Sequence, residues 1–504
     1  MSFPVFDIPA KRAELDPHKV AFEDLVSAEC VTYRELDERT GRSAALLAGL
    51  GVGAGDRIAL LCRNRIEFFE LLFACARLGA ILVPLNWRMP PNELAPLITD
   101  CGANWLIHGS EDGQTAASLS NALHACLDLD DASTDGYRAR RDSCEALVGR
   151  VAWPSDEPWY LLYTSGTTGM PKAVIQTPGT AMANYINISQ AMGLRGDDTT
   201  LNYLPLFHTG GINLTTLPGV IMGARTLFMP GFDVERTIEL LEAGRLDTFF
   251  GVPAIYQAIS LHERFDELDL GRVRCWGCGG APMPDNMLKK FAARGATVLN
   301  GMGMTETGPT LFLMDAENAA KKIGSVGKPQ FLSSARLVGP DGKDVPRGET
   351  GELWFAGLGM TPGYFNRPGE TAKTLVDGTW LRSGDLGRQD DDGYYYIVGR
   401  LKDMYISGGE NVYAAEIENC LNEHPAILEA AVVGVPDEKW GEVGYAYVLI
   451  RPGKELPDEG DLIAYCRQHL APYKVPKRFL RVENFPRTAA GKIQKHLLNV
   501  TCGE

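Results

Sequence analysis

The 504-residue chain has no apolar run long enough to cross a bilayer; the longest, Leu71 to Leu85, is interrupted by Arg77. It also lacks any surplus of positive charge. Its 49 Lys and Arg stand against 64 Asp and Glu, a net charge of −15. That excludes a general nucleic-acid coat and a polybasic membrane binder, and leaves room for a local cationic site. The opening stretch MSFPVFDIPAKRAELDP mixes acidic and basic residues and has no apolar h-region, so a secretory signal is not expected. Cysteine forms no framework: the eleven are scattered and odd in number. Free thiols, a reducing compartment and a cytoplasmic location are therefore expected. Cys275-Trp276-Gly277-Cys278 has no second pair and no nearby His to complete a zinc site, and reads as strand thiols.

What is present is ordinary for a large globular chain of about three domains, or two with one large. Hydrophobic residues make up 45% and charged residues 22%, enough for a core without staples. The 55 glycines imply many tight turns. From about residue 30 to 150 the apolar pattern alternates between helix and strand periods. Helices are predicted over Tyr33–Leu50, stopped by Gly51, and over Ile66–Leu78; strands over Arg57–Leu61 and Ala80–Val83. The same rhythm runs through Ile212 to Phe250. It predicts an α/β fold with a largely parallel sheet. Gly51, Gly53 and Gly55 lie between a helix and a strand, the reverse of the dinucleotide-binding order, and read as a loop. Residues 335–400 differ: short β runs at Glu352–Phe355 and Tyr394–Val398 are punctuated by Asp341-Gly342 and Asp392-Gly393. Beyond Arg400 a fresh pattern predicts helix 414–423, strands 428–435 and 444–451, helix 460–470 and strand 477–482. The boundary is placed at Arg400–Asp403, giving domains 1–400 and 401–504.

Several short motifs carry chemistry. TSGTTGMPK at 164–172 follows an apolar strand, Trp159–Leu162, and puts four hydroxyls and two glycines into six residues. Such a loop turns N–H and O–H groups toward an anion, and Lys172 adds a cation. The P-loop spacing is absent. GMGMTE at 301–306 follows a strand at Thr297–Leu299; Thr305 can donate to a phosphoryl oxygen and Glu306 can hold Mg²⁺ among phosphates. Taken alone, a structural turn explains it equally well. GGAPMP at 279–284 also ends a strand. SGDLG at 383–387 places Asp385 in a turn before a β run, where a solvated carboxylate is the simpler explanation of that motif by itself.

Together these motifs resemble the adenylate-forming superfamily, in particular its acyl- and aryl-CoA synthetases. The resemblance runs from Thr32-Tyr33-Arg34-Glu35-Leu36 to Gly491-Lys492 and includes LPLFHTGG at 204–211, GRLKDMYISGGENVYAAEIE at 399–418 and PRTAAGKIQK at 486–495. It implies a large N-terminal domain of α/β subdomains plus a β-rich subdomain, with a small mobile α+β C-terminal domain. It implies an enzyme that joins a carboxylic acid to coenzyme A with ATP and Mg²⁺, releasing AMP and pyrophosphate. Two anions must meet in such a reaction, so cations and oriented dipoles are required. By resemblance, Thr164, Ser165, Gly166, Thr167, Thr168, Gly169 and Lys172 hold the β- and γ-phosphates. Thr305 binds the α-phosphate, Glu306 the Mg²⁺, and Asp385 and Arg400 the ribose. Gly280, Ala281 and Pro282 flank the adenine, with Met302, Gly303 and Met304 beside it. Lys492 bridges the acid and the α-phosphate. The small domain turns about Lys402 and exchanges the Lys492 face for Ser407, Gly408 and Gly409, which line a pantetheine tunnel. Trp440, Tyr473, Lys474 and Lys477 are candidates for the nucleotide of CoA, and His208 for a gate beside the acyl pocket. Core packing is the plainer alternative for both Trp440 and His208.

The chain departs from the family pattern at three places: Met302 replaces an aromatic, Ala173 a glycine, and Gln176-Thr177-Pro178 stands where a His is usual. The alternative function is an adenylating enzyme that loads an acyl or amino acid onto a carrier protein; His208 argues against it, because amino-acid members carry Asp there. A non-catalytic sensor would not keep Lys172, Thr305, Glu306, Asp385, Arg400 and Lys492 together. The segments expected to line the pocket, 203–214, 249–257, 275–284 and 300–313, contain no Lys or Arg and only Glu306 as carboxylate. An uncharged acyl tail is expected, a medium-to-long fatty chain ahead of an aryl-propenoate, with Lys328 as a cation that a neighbouring loop could bring close. Partners are small molecules, with no nucleic acid and no integral membrane segment; a homodimer is left open.

Overall fold

The computed structural model describes residues 2–120, 123–164, 170–281, 283–487 and 493–501. Helix Tyr33–Gly49 starts at a capping box in which Thr32 accepts from the Glu35 N–H and Glu35 answers on the Thr32 N–H. Helix Ile66–Leu78 ends at Gly79, whose φ of 71° closes it in the left-handed region. Between them runs strand Arg57–Leu61. Its residues alternate between two cores. Ile58 and Leu60 face the helices 33–49 and 66–78, whereas Ala59 and Leu61 pack with Leu94, Leu97 and Ala116 from the other side. Arg77, which breaks the apolar run, is buried and paired with Asp7 at 2.6 Å and with Asp37.

Six strands make this first sheet, in the order Lys172–Gln176, Tyr160–Thr164, Ile81–Pro84, Arg57–Leu61, Trp105–His108, Ala125–Asp128. All neighbours are parallel except the first pair, an antiparallel hairpin. A second, longer path of pairing is parallel through Val20–Asp24, Arg225–Phe228, Thr199–Asn202, Thr248–Gly251, Cys275–Cys278 and Val298–Met304. It then turns antiparallel through Gly308–Leu313, Ser325–Pro329, Tyr395–Arg400, Trp380–Gln389, Thr350–Gly357 and Ser333–Val338. Pairing is thus largely parallel where the helix–strand rhythm predicted it and mixed over the whole molecule, because hairpin turns replace crossover helices after residue 304.

A small third unit follows. Long antiparallel strands Ile427–Asp437 and Gly441–Ile450 carry hairpin Met404–Ser407/Glu410–Tyr413 and the parallel strand Arg478–Val482. Helices Ala414–Asn422 and Glu459–His469 cover it around Val432, Ala446, Val448 and Leu462. Predicted elements match with their ends moved by a few residues. Two differ in kind: Ser383-Gly384-Asp385 lies inside strand Trp380–Gln389 rather than in a turn, and the 404–413 hairpin was not predicted. No helix among the described residues is long and apolar enough to cross a membrane.

Candidate active site

Three distant segments are stitched together around Lys172. Strand Lys172–Gln176 leaves the hairpin whose other arm ends at Thr164, and Lys172 pairs in register with Thr164. Residues 361–365 run alongside this strand: Ile175 N–H donates to Gly363 O at 3.1 Å, Phe365 N–H to Ala173 O at 2.8 Å, and Thr361 Oγ1 to Ile175 O at 2.7 Å. The turn after strand Val298–Met304 is fixed to both. Thr361 N–H donates to Glu306 O at 2.7 Å, and Gln176 Nε2 donates to Thr305 O at 2.9 Å. Gln176, one of the departures from the family pattern, therefore anchors the backbone of Thr305.

Glu306 is buried, with Oε1 accepting from Tyr364 Oη at 2.9 Å. Burial, and then the adjacent Glu306 carboxylate, push the Tyr364 phenol up, so it remains a donor. The Lys172 ammonium sits 5.0 Å from the Tyr364 ring centre and pairs with Glu370 at 2.6 Å. Glu370 also meets Lys373 at 2.9 Å; Lys172 first, then Lys373, hold its carboxyl down at about 2. No cluster of three or more metal-ligating side chains occurs among the described residues. One buried carboxylate, linked through Tyr364 to the Lys172 ammonium, suits a Mg²⁺ ion shared with phosphate oxygens rather than caged by protein.

The Asp385 carboxylate is buried and 3.1 Å from Arg400 Nε, its register partner on the next strand. Two acceptor oxygens held this way fit a pair of neighbouring hydroxyls. Lys402, just beyond, has its ammonium pKa lowered by partial burial; Asp403 opposes this, and Arg400 and Lys495 add to it. Gly303 has no room for a side chain, since a Cβ would lie 2.3 Å from Pro309 C and O. Met302 and Met304 pack beside Phe312 and Leu353. Gly280 adopts φ 82° two residues after the end of strand Cys275–Cys278, and Ala281 follows it. His208 caps the short helix Thr209–Asn213, its ring 4.8 Å from Phe207. Both thiols of the CxxC are buried in the strand; desolvation raises Cys275 to about 12. Lys328 is exposed, 4.5 Å from the Tyr394 ring centre on the outer surface. Ser165, Gly166, Thr167, Thr168, Gly169, Pro282 and Lys492 lie outside the described residues.

On the small unit, Ser407 is buried at the end of its strand, and Gly408 and Gly409 form the hairpin turn with φ of 61° and 89°. Gly408 N–H donates to Trp440 O at 2.8 Å, and a Cβ on Gly408 would stand 3.1 Å from the indole. Trp440 is 39% exposed and Tyr473 38%, so neither is core. Lys474 is ion-paired with Glu416 at 2.7 Å, which occupies the charge expected to meet a phosphate; Lys477 is exposed. The sequence motifs do not include Tyr364 or Glu370, and they mark Gln176 only as a departure from the family pattern.

The family described as AMP-binding enzyme matches residues 10–365, and that described as AMP-binding enzyme C-terminal domain matches residues 416–492. The chain is 40% identical over 489 residues to a feruloyl-CoA synthase of Amycolatopsis sp, covering 97% of this chain and 96% of the relative. It is 36% identical to a long-chain-fatty-acid–CoA ligase of Mycobacterium tuberculosis, covering 97% and 96%. It superposes with a TM-score of 0.89 and 30% identity on the o-succinylbenzoate CoA synthetase of Bacillus subtilis in complex with the acyl-adenylate intermediate, covering 98% of each chain.

Proposed function

The chain belongs to the AMP-binding enzyme family, and from that premise we propose that it activates an uncharged aryl acid of the cinnamate type. It is an AMP-forming acid–thiol ligase of the CoA synthetase branch; the relatives do not favour the carrier-protein alternative. The carboxylate oxygen attacks the α-phosphorus of ATP and pyrophosphate leaves. The thiol of CoA then attacks the acyl carbon, its proton is lost, and AMP leaves.

The observation that carries the site assignment is the linkage of Lys172, Thr305 and Glu306 through Tyr364, Thr361 and Gln176. In this reading the 164–172 loop and Lys172 take the β- and γ-phosphates, and Thr305 the α-phosphate. Glu306 holds Mg²⁺, which supplies charge neutralisation among the phosphates. Asp385 and Arg400 hold the ribose; Gly280, Ala281, Pro282, Met302, Gly303 and Met304 surround the adenine. His208 gates the acyl pocket, and Lys492 bridges acid and α-phosphate. Residues 1–400 form the adenylation domain and 401–504 a lid that turns about Lys402. Turning presents Ser407, Gly408 and Gly409 to the thioester step, with Trp440, Tyr473 and Lys477 on the CoA nucleotide. A cytoplasmic location and a homodimer belong to the same reading.

For the acid, the observation is Phe250. Its ring lies over Gly277 and Gly279, where a Cβ would come within 2.4 Å of Phe250 Cδ2 and 3.2 Å of Phe250 Cζ respectively. Beyond it Leu214, Leu299 and Leu313 are packed together. A ring on a short arm needs less depth than a long chain; of the two relatives, the feruloyl-CoA synthase, at 40% identity, supports an aryl acid and the long-chain-fatty-acid ligase, at 36%, does not. This reverses the order expected from the sequence, which put the fatty chain first. Consumption of CoA across hydroxycinnamates, benzoates, fatty acids of several lengths, a dicarboxylic acid and an amino acid tests the proposal. The highest kcat/KM is expected for a hydroxycinnamate. A long fatty acid or a dicarboxylic acid in first place would overturn it.

A further inference from the structure

A cation built to meet phosphate is already engaged by a carboxylate. Lys172 Nζ is 2.6 Å from Glu370 Oε2, and the other Glu370 oxygen is 2.9 Å from Lys373. Glu370 is held in place by its short helix, Pro368–Thr374, which is tied down where Tyr364 N–H donates to Thr371 Oγ1 at 3.0 Å. That same Tyr364 touches Lys172 with its ring face and Glu306 with its hydroxyl. The side chains of Lys172 and Glu370 are 29% and 35% exposed. Water reaches both, so the pair exchanges partners at little cost, unlike the buried Arg77–Asp7 pair.

We propose that Glu370 is an internal counter-anion: it occupies Lys172 in the nucleotide-free enzyme and yields it to the triphosphate. It reclaims the lysine as pyrophosphate departs. A carboxylate offers the ammonium two anionic oxygens, as a phosphate does, and is therefore a competitor of matching chemistry. MgATP must break the pair to bind, and the displaced carboxylate stays close enough to repel pyrophosphate. Glu370 is thus a positioning residue that weakens polyphosphate binding and speeds product loss. The inference rests on the assignment of Lys172 to the phosphates.

The test is the Kd of pyrophosphate and of MgATP for wild type, Glu370→Gln, Lys172→Ala and the double variant, with the KM of the acid measured alongside. Glu370→Gln is expected to tighten both polyphosphates by roughly three- to fivefold, the scale of an exposed ion pair, with the acid KM unchanged. The gain should vanish in the Lys172→Ala background. Unchanged or weaker polyphosphate binding by Glu370→Gln overturns the proposal. So does an equal gain with and without Lys172, which would make Glu370 a source of general repulsion. If Lys172→Ala itself binds MgATP as wild type does, the phosphate assignment fails instead. Melting temperatures of the four proteins separate a folding defect from a binding effect.

Discussion

Asp385 and Arg400 face each other on neighbouring strands, the carboxylate buried and the guanidinium half in water. That asymmetry suits a ligand hydroxyl pair better than a structural ion pair. Asp385→Ala should raise the KM for ATP by about 10- to 100-fold, the range for hydrogen bonds to a charged group, and leave the KM of the acid near wild type. Initial rates at saturating acid and CoA measure this; an unchanged ATP KM would remove Asp385 from the nucleotide site. Thr305, Glu306, Asp385 and Lys172 could be proposed from the sequence because each stands in a short local motif. Tyr364, Glu370 and Gln176 could not. They act through contacts across 58, 198 and 129 residues of chain, and no local spacing encodes such pairings.

At the scale of elements, the strand–turn–strand from Val298 to Leu313 carries Thr305 and Glu306, the residues proposed for the α-phosphate and Mg²⁺. Gly303→Ala would drive a methyl into the Pro309 backbone. A loss of about 1–3 kcal/mol of stability is expected, together with loss of adenylate formation. Gly369 meets nothing within 4 Å, and Gly369→Ala should be neutral. Thermal melts and adenylate assays of the two variants check this; equal tolerance would show that the 303–309 turn is slack. The helices at Tyr33 and Ile66 were readable because caps and apolar period agree. Strand Trp380–Gln389 hid its passage through Ser383-Gly384-Asp385 because Gly384, at φ 71°, looks like a turn residue and is instead an irregularity inside a paired strand. The 404–413 hairpin is hard to see in the sequence because its arms, Met404–Ser407 and Glu410–Tyr413, are only four residues each.

For the whole molecule, the large and small units meet where Asn286 Nδ2 donates to Asn422 O at 3.2 Å. Beside that bond, burial and then Glu423 raise the Asp285 carboxyl above its usual range, with Lys289 opposing. Glu423 is the small unit's contribution to that shift, so the arrangement with Glu423 beside Asp285 binds a proton there more tightly than one in which Glu423 has moved away. Lowering the pH through the carboxylate range should favour docking, and raising it should favour release. Asp285→Asn should remove much of the pH dependence, as read by fluorescence transfer between dyes on the two units; an unchanged profile would exclude Asp285. In a two-step ligase of this branch the acid is activated before CoA takes part. Exchange of labelled pyrophosphate into ATP, with acid and Mg²⁺ present and CoA omitted, tests it most directly. Acid-dependent exchange without CoA is the predicted result; exchange that appears only when CoA is added would contradict an acyl-adenylate formed in the first step.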